Sequence, residues 1–202
     1  MKHRILNFPT IALLTVCLTA CAFNSGNHNS NSENVGETQQ SAESSVIDEP
    51  LGPIEIDGLE IQLPCAYADL TIYPTQDESW WLPPEESNYA DGMYDQMIEF
   101  KVNEESNQLY TLWSAYHDDE SYQSGTIYSI MQSENGTSLM YCGEDFVCGE
   151  TTQEELVEKL GTRYTLSATG AYIYTYQDSN IVAVFLDDTL DFIMICSTVS
   201  YE

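Results

Sequence analysis

From Pro50 onward the chain is a succession of short runs in which apolar and polar residues alternate, each closed by a turn dipeptide. This pattern constrains the fold more than any other feature. A period of two places every second side chain on the same face of a strand, so each run asks for a partner strand and one buried face. Ile54-Glu55-Ile56 and Leu59-Glu60-Ile61-Gln62-Leu63 flank Asp57-Gly58, a pair suited to the positive φ angles of a tight hairpin. Pro64 ends the second run, and Ala66 to Leu70 reads as a short helical turn. Thr71 to Asp91 contains Pro74, Pro83 and Pro84, which remove ladder donors, and is expected to be irregular.

Three strands are expected next, at Gln96–Val102, Leu109–Tyr116 and Thr126–Gln132, followed by an Asn135-Gly136 hairpin returning through Ser138–Cys142. Gln153–Leu160 has the marks of a helix. Thr152 is placed to cap it, Glu155 to reach back, Leu156 and Leu160 share a face, and Gly161 ends it. A meander closes the chain: Tyr172–Tyr176, a turn at Asp178-Ser179-Asn180, Ile181–Leu186, a turn at Asp187-Asp188, then Leu190–Val199. Simple alternation in that last strand puts Leu190, Phe192, Met194 and Cys196 on one face. A short helix followed by three strands occurs twice, from Ala66 through Gln132 and from Thr152 through Val199. The expected fold class is therefore α+β, an antiparallel sheet with one or two short helices on its apolar face.

The N-terminus carries an address. Leu18-Thr19-Ala20-Cys21 ends a short apolar segment with Lys2 and Arg4 in front of it, the pattern of a bacterial lipoprotein signal. Ile5 to Ala20 is shorter than the roughly 20 apolar residues that span a bilayer. Residues 1–20 are read as a signal peptide. Cys21 is read as the mature N-terminus, lipidated on its sulfur and amine. Residues 21–49 form a Ser- and Asn-rich tether whose coil dimension is about 30 Å, and residues 50–202 form one domain. Expected localisation is extracytoplasmic, on a membrane through lipid alone.

Charge narrows the partners. After Arg4 the only cations are Lys101, Lys159 and Arg163, against 33 acidic residues. Nucleic-acid binding needs clustered Lys and Arg, so that class is excluded. A basic protein of the envelope or exterior, a hard cation, or plain solubility are the readings that survive. Disorder is not among them, because 43% of residues are hydrophobic and tyrosine occurs 14 times. Cys65, Cys142, Cys148 and Cys196 remain after processing, an even number that allows three disulfide pairings or four free thiols. The short spacing around Gly143 favours Cys142–Cys148, leaving Cys65–Cys196.

Catalytic signals are sparse. His117 is the only histidine after residue 28, and no nucleophile elbow, phosphate loop or paired-histidine metal motif occurs. Asp118-Asp119-Glu120 and Asp187-Asp188 lack the spacing of a calcium loop. Neither metal nor cofactor is expected, nor is catalysis. Trp80-Trp81, inside the proline-rich insert, is the candidate binding element, through stacking on a sugar or anchoring of a protein.

Gly149-Glu150-Thr151-Thr152, Glu155-Leu156, Leu160-Gly161 and Tyr172-Ile173-Tyr174 resemble the helix–strand repeat of β-lactamase inhibitory protein and of small outer-membrane assembly lipoproteins. The stretch Gly58-Leu59 through Leu63-Pro64-Cys65-Ala66-Tyr67-Ala68-Asp69-Leu70 is similar to the start of small lipoproteins of Gram-positive gut bacteria. The resemblance implies a protein-binding or accessory role at the cell envelope without catalysis. The alternative from the residues is a carbohydrate-binding module using exposed Trp and Tyr.

Overall fold

The computed structural model describes residues 46–75, 80–81, 93–117, 121–133 and 136–198. Strands run through nearly all of it. In chain order they are β1 (Val46–Ile47), β2 (Ile54–Ile56), β3 (Leu59–Ile61), β4 (Cys65–Ala66), β5 (Tyr73–Pro74), β6 (Trp80–Trp81), β7 (Met93–Lys101), β8 (Tyr110–His117), β9 (Thr126–Gln132), β10 (Ser138–Tyr141), β11 (Glu144–Val147), β12 (Thr165–Leu166), β13 (Tyr172–Tyr176), β14 (Ser179–Leu186) and β15 (Thr189–Ser197). Between β11 and β12 lies α1 (Gln153–Leu160), the only α-helix among the described residues.

Two sheets form. The larger has 11 strands in the order β1-β13-β14-β15-β9-β8-β7-β5, with β12 on β13, β4 on β9 and β6 on β7. All its pairs are antiparallel except β1 against β13, where Val46 and Ile47 lie beside Thr175 and Tyr176. The smaller sheet has the order β11-β10-β2-β3. The fold is thus mostly β, and the α+β expectation with repeated helix–strand units is corrected. Ala66–Leu70 is where the repeat fails: only the three residues Tyr67–Asp69 turn, in a 3-10 conformation, flanked by extended Ala66 and Leu70.

Dimensions explain why a second sheet, and not helices, covers the first. Eight strands at about 4.8 Å spacing make a surface about 34 Å wide, whereas an eight-residue helix is about 12 Å long. Ile54, Ile56, Ile61, Leu139, Tyr141 and Phe146 of the small sheet join Ile98, Phe100, Leu112, Ile127, Ile130, Ile193 and Ile195 of the large one in a single core, with Leu156 of α1 at its edge. Burial of these side chains contributes about 1.5–3 kcal/mol each. On the opposite face of the large sheet Trp113, Tyr128, Met131, Val182, Phe192 and Met194 form a second buried cluster.

Two bulges decide which side chain belongs to which face. Trp113 lies opposite Ser129 and Ser114 opposite Ile127, so Tyr128 is an extra residue in β9. Val184 lies opposite Phe192 and Phe185 opposite Leu190, so Asp191 is an extra residue in β15. Leu190 therefore joins the first core while Phe192, Met194 and Cys196 join the second. The expectation that all four share a face missed the bulge.

The Asp57-Gly58 hairpin forms as expected, with φ of 49° and 79°. The second expected hairpin does not. β10 leaves β9 and pairs with β2 and β11 instead, so the chain crosses from one sheet to the other after Gln132. The buried Gln132 amide fastens that crossing by donating to the carbonyls of Thr137 and Phe146. Asn135 lies outside the described residues, as do residues 1–45.

The helix is built as its sequence reads. The Thr152 hydroxyl accepts from the Glu155 amide, Glu155 accepts from the Thr152 amide at 2.7 Å, and Gly161 ends the helix at φ 85°. Tyrosines fix it to the sheet: Tyr172 donates to Gln153 Oε1 at 3.1 Å and Tyr174 to the Gly161 carbonyl at 3.0 Å. Before β2 the chain is already part of the fold. Besides the β1 pairing, Gln177 N–H donates to the Glu49 carbonyl and Leu51 N–H to Asp178 Oδ1.

Candidate functional site

The outer edge of β7 carries the most promising geometry. β8 takes one side of β7 through a continuous antiparallel register from Met93–His117 to Phe100–Tyr110. The other side is shared by two fragments. Tyr73 and Pro74 of β5 pair with Lys101 and Phe100, and Thr75 N–H continues the ladder to the Glu99 carbonyl at 3.0 Å. Farther along, Trp80 and Trp81 of β6 pair with Met97 and Gln96. Trp80-Trp81 is therefore a paired edge strand inside the stretch Thr71 to Asp91 expected to be irregular, of which residues 76–79 and 82–91 lie outside the described residues. Pro74 is tolerated because its missing N–H lies on an edge strand of two residues.

A cleft of about 630 Å³ opens at this edge, lined by Tyr73, Gln96, Glu99, Lys101, Tyr122 and Gln123 among others. That volume is in the range of small-ligand sites. Gln96 forms part of its wall with only 6% of its surface exposed. Its Oε1 accepts from the Tyr116 hydroxyl at 3.4 Å, and among the described residues nothing accepts from its amide nitrogen. Tyr73 is 39% exposed, one of the three most exposed large hydrophobic residues described. Tyr122 is held in place from behind, edge-on to Tyr67 at 5.4 Å and 83°, and Gln123 Nε2 donates to its hydroxyl.

The 3-10 turn Tyr122–Ser124 that carries these residues is anchored by close approach. The Ser114 hydroxyl donates to the Tyr122 carbonyl at 2.8 Å, and Tyr67 N–H donates to the Gly125 carbonyl at 3.0 Å. A Cβ on Gly125 would stand 2.6 Å from the Ala115 carbonyl oxygen and nearer still to Ser114 Oγ, so only glycine fits there.

The cysteine expectations are overturned in part. Cys65, Cys142 and Cys148 are free thiols, so neither Cys142–Cys148 nor Cys65–Cys196 is formed. Cys142-Gly143 is itself the two-residue turn of the β10–β11 hairpin, with φ of 53° and 77°. Cys148 follows the far end of β11, a strand length of about 13 Å away, beyond the roughly 7 Å Cα reach of a disulfide. Cys65 packs against the first core and Cys196 belongs to the second, on opposite faces of the large sheet. Burial, with a smaller contribution from Asp69, pushes the Cys65 thiol up to about 11. Burial and then Asp191 push Cys148 up to about 12. Neither is an activated nucleophile.

The remaining candidates are scattered. His117 sits exposed at the end of β8, far along β7 from Lys101. Asp187-Asp188 makes the β14–β15 turn, both with positive φ. Asp118-Asp119-Glu120 and Cys21 lie outside the described residues. Among the described residues no group of three or more His, Cys, Asp or Glu side chains is placed to hold a metal, and no helix is long and apolar enough to cross a membrane.

The structure thus pairs Trp80-Trp81 with the strand that carries Gln96, while the residues that line the cleft lie outside the sequence-based candidates. In sequence Gln96 is an ordinary polar strand residue, and Tyr73 falls next to Pro74, where no alternation marks a strand. The one available signal was the density of Tyr and Gln at Tyr73, Gln96, Tyr122 and Gln123. Comparison of the chain with protein-family models, curated proteins and solved structures returns no match.

Proposed function

We propose that the chain is a lipid-anchored, non-catalytic binding module of the cell envelope that acts through contact with a basic protein. The observation that carries this reading is the state of its few cations. The Lys159 ammonium donates to the Asp145 carbonyl and lies 5.3 Å over the Phe146 ring. The Arg163 guanidinium donates to the Val46 carbonyl, and Lys101 is half-buried in the cleft wall. Meanwhile Glu55, Glu60, Glu104, Glu144, Glu154 and Glu158 are exposed. An acidic surface of this kind steers a basic partner and releases it as salt rises.

The test is affinity capture from envelope extract at low and high salt, with identification of what is retained. Basic proteins that bind saturably and elute with salt are expected. Saturable turnover in hydrolase screens, abolished by one Asp, Glu or His117 substitution, would overturn the non-catalytic reading. Anchoring rests on Cys21: Cys21→Ala should leave an unprocessed or released protein. Normal processing and membrane retention of that variant would sink it.

A second reading, retention of glycans through aromatic side chains, draws support from the β7 edge, where Tyr73 and Tyr122 line one cleft with Gln96 and Gln123.

A further inference from the structure

We infer that the cleft between β5, β7 and the Tyr122–Ser124 turn is a binding site for an uncharged oligosaccharide, with Gln96 as its buried hydrogen-bond donor. The assignment rests on the glycan reading and gives it a location.

Three features combine. The first is the Gln96 amide. A primary amide has two N–H donors and one acceptor oxygen, and a donor left open at the wall of a cleft is available to a ligand. Here the residue is 94% buried, its oxygen accepts from Tyr116, and its nitrogen has no acceptor among the described residues while the residue lines the cleft. A ligand hydroxyl is an acceptor of the right size.

The second is the pairing of aromatic and polar groups. Tyr73 offers an exposed ring and Tyr122 a second one packed edge-on against Tyr67, both lining the cleft. Rings of this kind cover the apolar C–H faces of a sugar, while its hydroxyls require donors and acceptors at the rim. Gln123, Glu99 and Glu104 supply acceptors there, and Lys101 supplies a donor.

The third is charge. The cleft holds two carboxylates and one ammonium within a chain of net charge −28. Uronic, sialic and phosphorylated glycans would meet repulsion, so the fitting ligand is neutral. Backbone pairing supports the wall: β5 and β6 are fastened to the same edge of β7 on either side of Ile98, which lines the cleft.

The experiment is gel-retardation of the full chain in soluble xylan, mannan and mixed-linkage β-glucan, with pectate as an acidic glycan and poly-lysine as a basic polypeptide. At least one neutral polysaccharide should retard the chain with little dependence on salt, and pectate should not. Gln96→Leu, similar in size but without the donor, should weaken retardation tenfold or more. Tyr73→Ala should do likewise, and its exposed ring makes it safe for folding should Gln96→Leu prove unstable. Full retardation of a folded Tyr73→Ala variant would remove the site from this cleft and leave glycan binding to be sought elsewhere on the molecule. No retardation by any neutral polysaccharide would overturn both the site and the glycan reading. If the two variants weaken binding of poly-lysine alone, the cleft belongs to the protein-partner surface and the saccharide assignment falls.

Discussion

The stretch from Thr152 to Ser197 and the β7 edge around Tyr73 and Gln96 are built on opposite principles. In the first, local signals and tertiary partners agree. Helix α1 is capped at both ends, its one fully buried residue Leu156 meets the core, and the tyrosine hydroxyls that hold it find Gln153 and Gly161. The β13–β14–β15 meander then pairs through registers four to eight residues long. At the β7 edge two strands of two residues each share one flank, a proline sits in one of them, and the amide nitrogen of Gln96 has no acceptor among the described residues. Polar capacity is used up in one region and held open in the other. The open region is where a ligand can supply what the chain does not.

This contrast predicts that damage to the first region should be structural and large. Leu156 is fully buried and joins α1 to the edge of the first core. Leu156→Ala should destabilise by about 2–5 kcal/mol, the range for truncating a buried leucine. Denaturant titration followed by tyrosine fluorescence measures it. A loss well under about 1 kcal/mol would show that α1 is peripheral and the contrast mistaken.

The second region has one rigid point, Gly125, and it should be the next most sensitive. Gly125→Ala forces a methyl group against the Ala115 carbonyl and Ser114 Oγ. A cost of about 1–3 kcal/mol is expected from overpacking, together with displacement of Tyr122 from the cleft. Unfolding curves check the first effect. The nuclear Overhauser contact between the Tyr67 and Tyr122 rings checks the second.

A smaller effect separates helix capping from tertiary packing. Thr152→Ala should cost about 1 kcal/mol. The partner half of the cap depends on pH. The Glu155 carboxyl is held below its ordinary value by the Thr152 amide and then by the Thr152 hydroxyl. A lowered folded-state value means that its contribution is present above the unfolded value of about 4.3 and fades as pH falls through the folded one. Glu155→Ala should therefore be less stable than the parent at pH 7, with the two converging as pH falls below the ordinary carboxylate range. A difference that persists unchanged at low pH would mean that the carboxylate is not the capping group.

How legible each part was follows from the same physics. Gln153–Leu160 and Tyr172–Tyr176 fall at the residues their sequence marks, because caps, turn dipeptides and alternation act within a few residues. The β14–β15 bulge at Asp191 and the departure of β10 to the small sheet depend on which strand lies alongside, and no local pattern carries that. The short strands β4, β5 and β6 exist only because β9 and β7 offer unfilled edges. A two-residue strand has no period to read. The cleft inherits that illegibility, since its wall is made of such fragments and its buried donor is an ordinary glutamine until its neighbours are known.

The smallest expected effect is at Cys142, where spacing and geometry disagree. Only five residues separate Cys142 from Cys148, yet a regular hairpin places one at the tip and the other past the far end. Both turn residues have positive φ, the conformation in which Asn-Gly is the preferred pair. Cys142→Asn should therefore change stability by no more than about 0.5 kcal/mol, with a slight gain favoured. Loss of a disulfide would cost about 2 kcal/mol or more, so the substitution distinguishes the two directly. Labelling adds an independent measure: a thiol reagent at neutral pH should modify exposed Cys142 rapidly, while buried Cys148, its thiol pushed up to about 12, reacts only on unfolding. Equal protection of both cysteines, relieved together by reductant, would restore the bridge and require the β10–β11 turn to be redrawn.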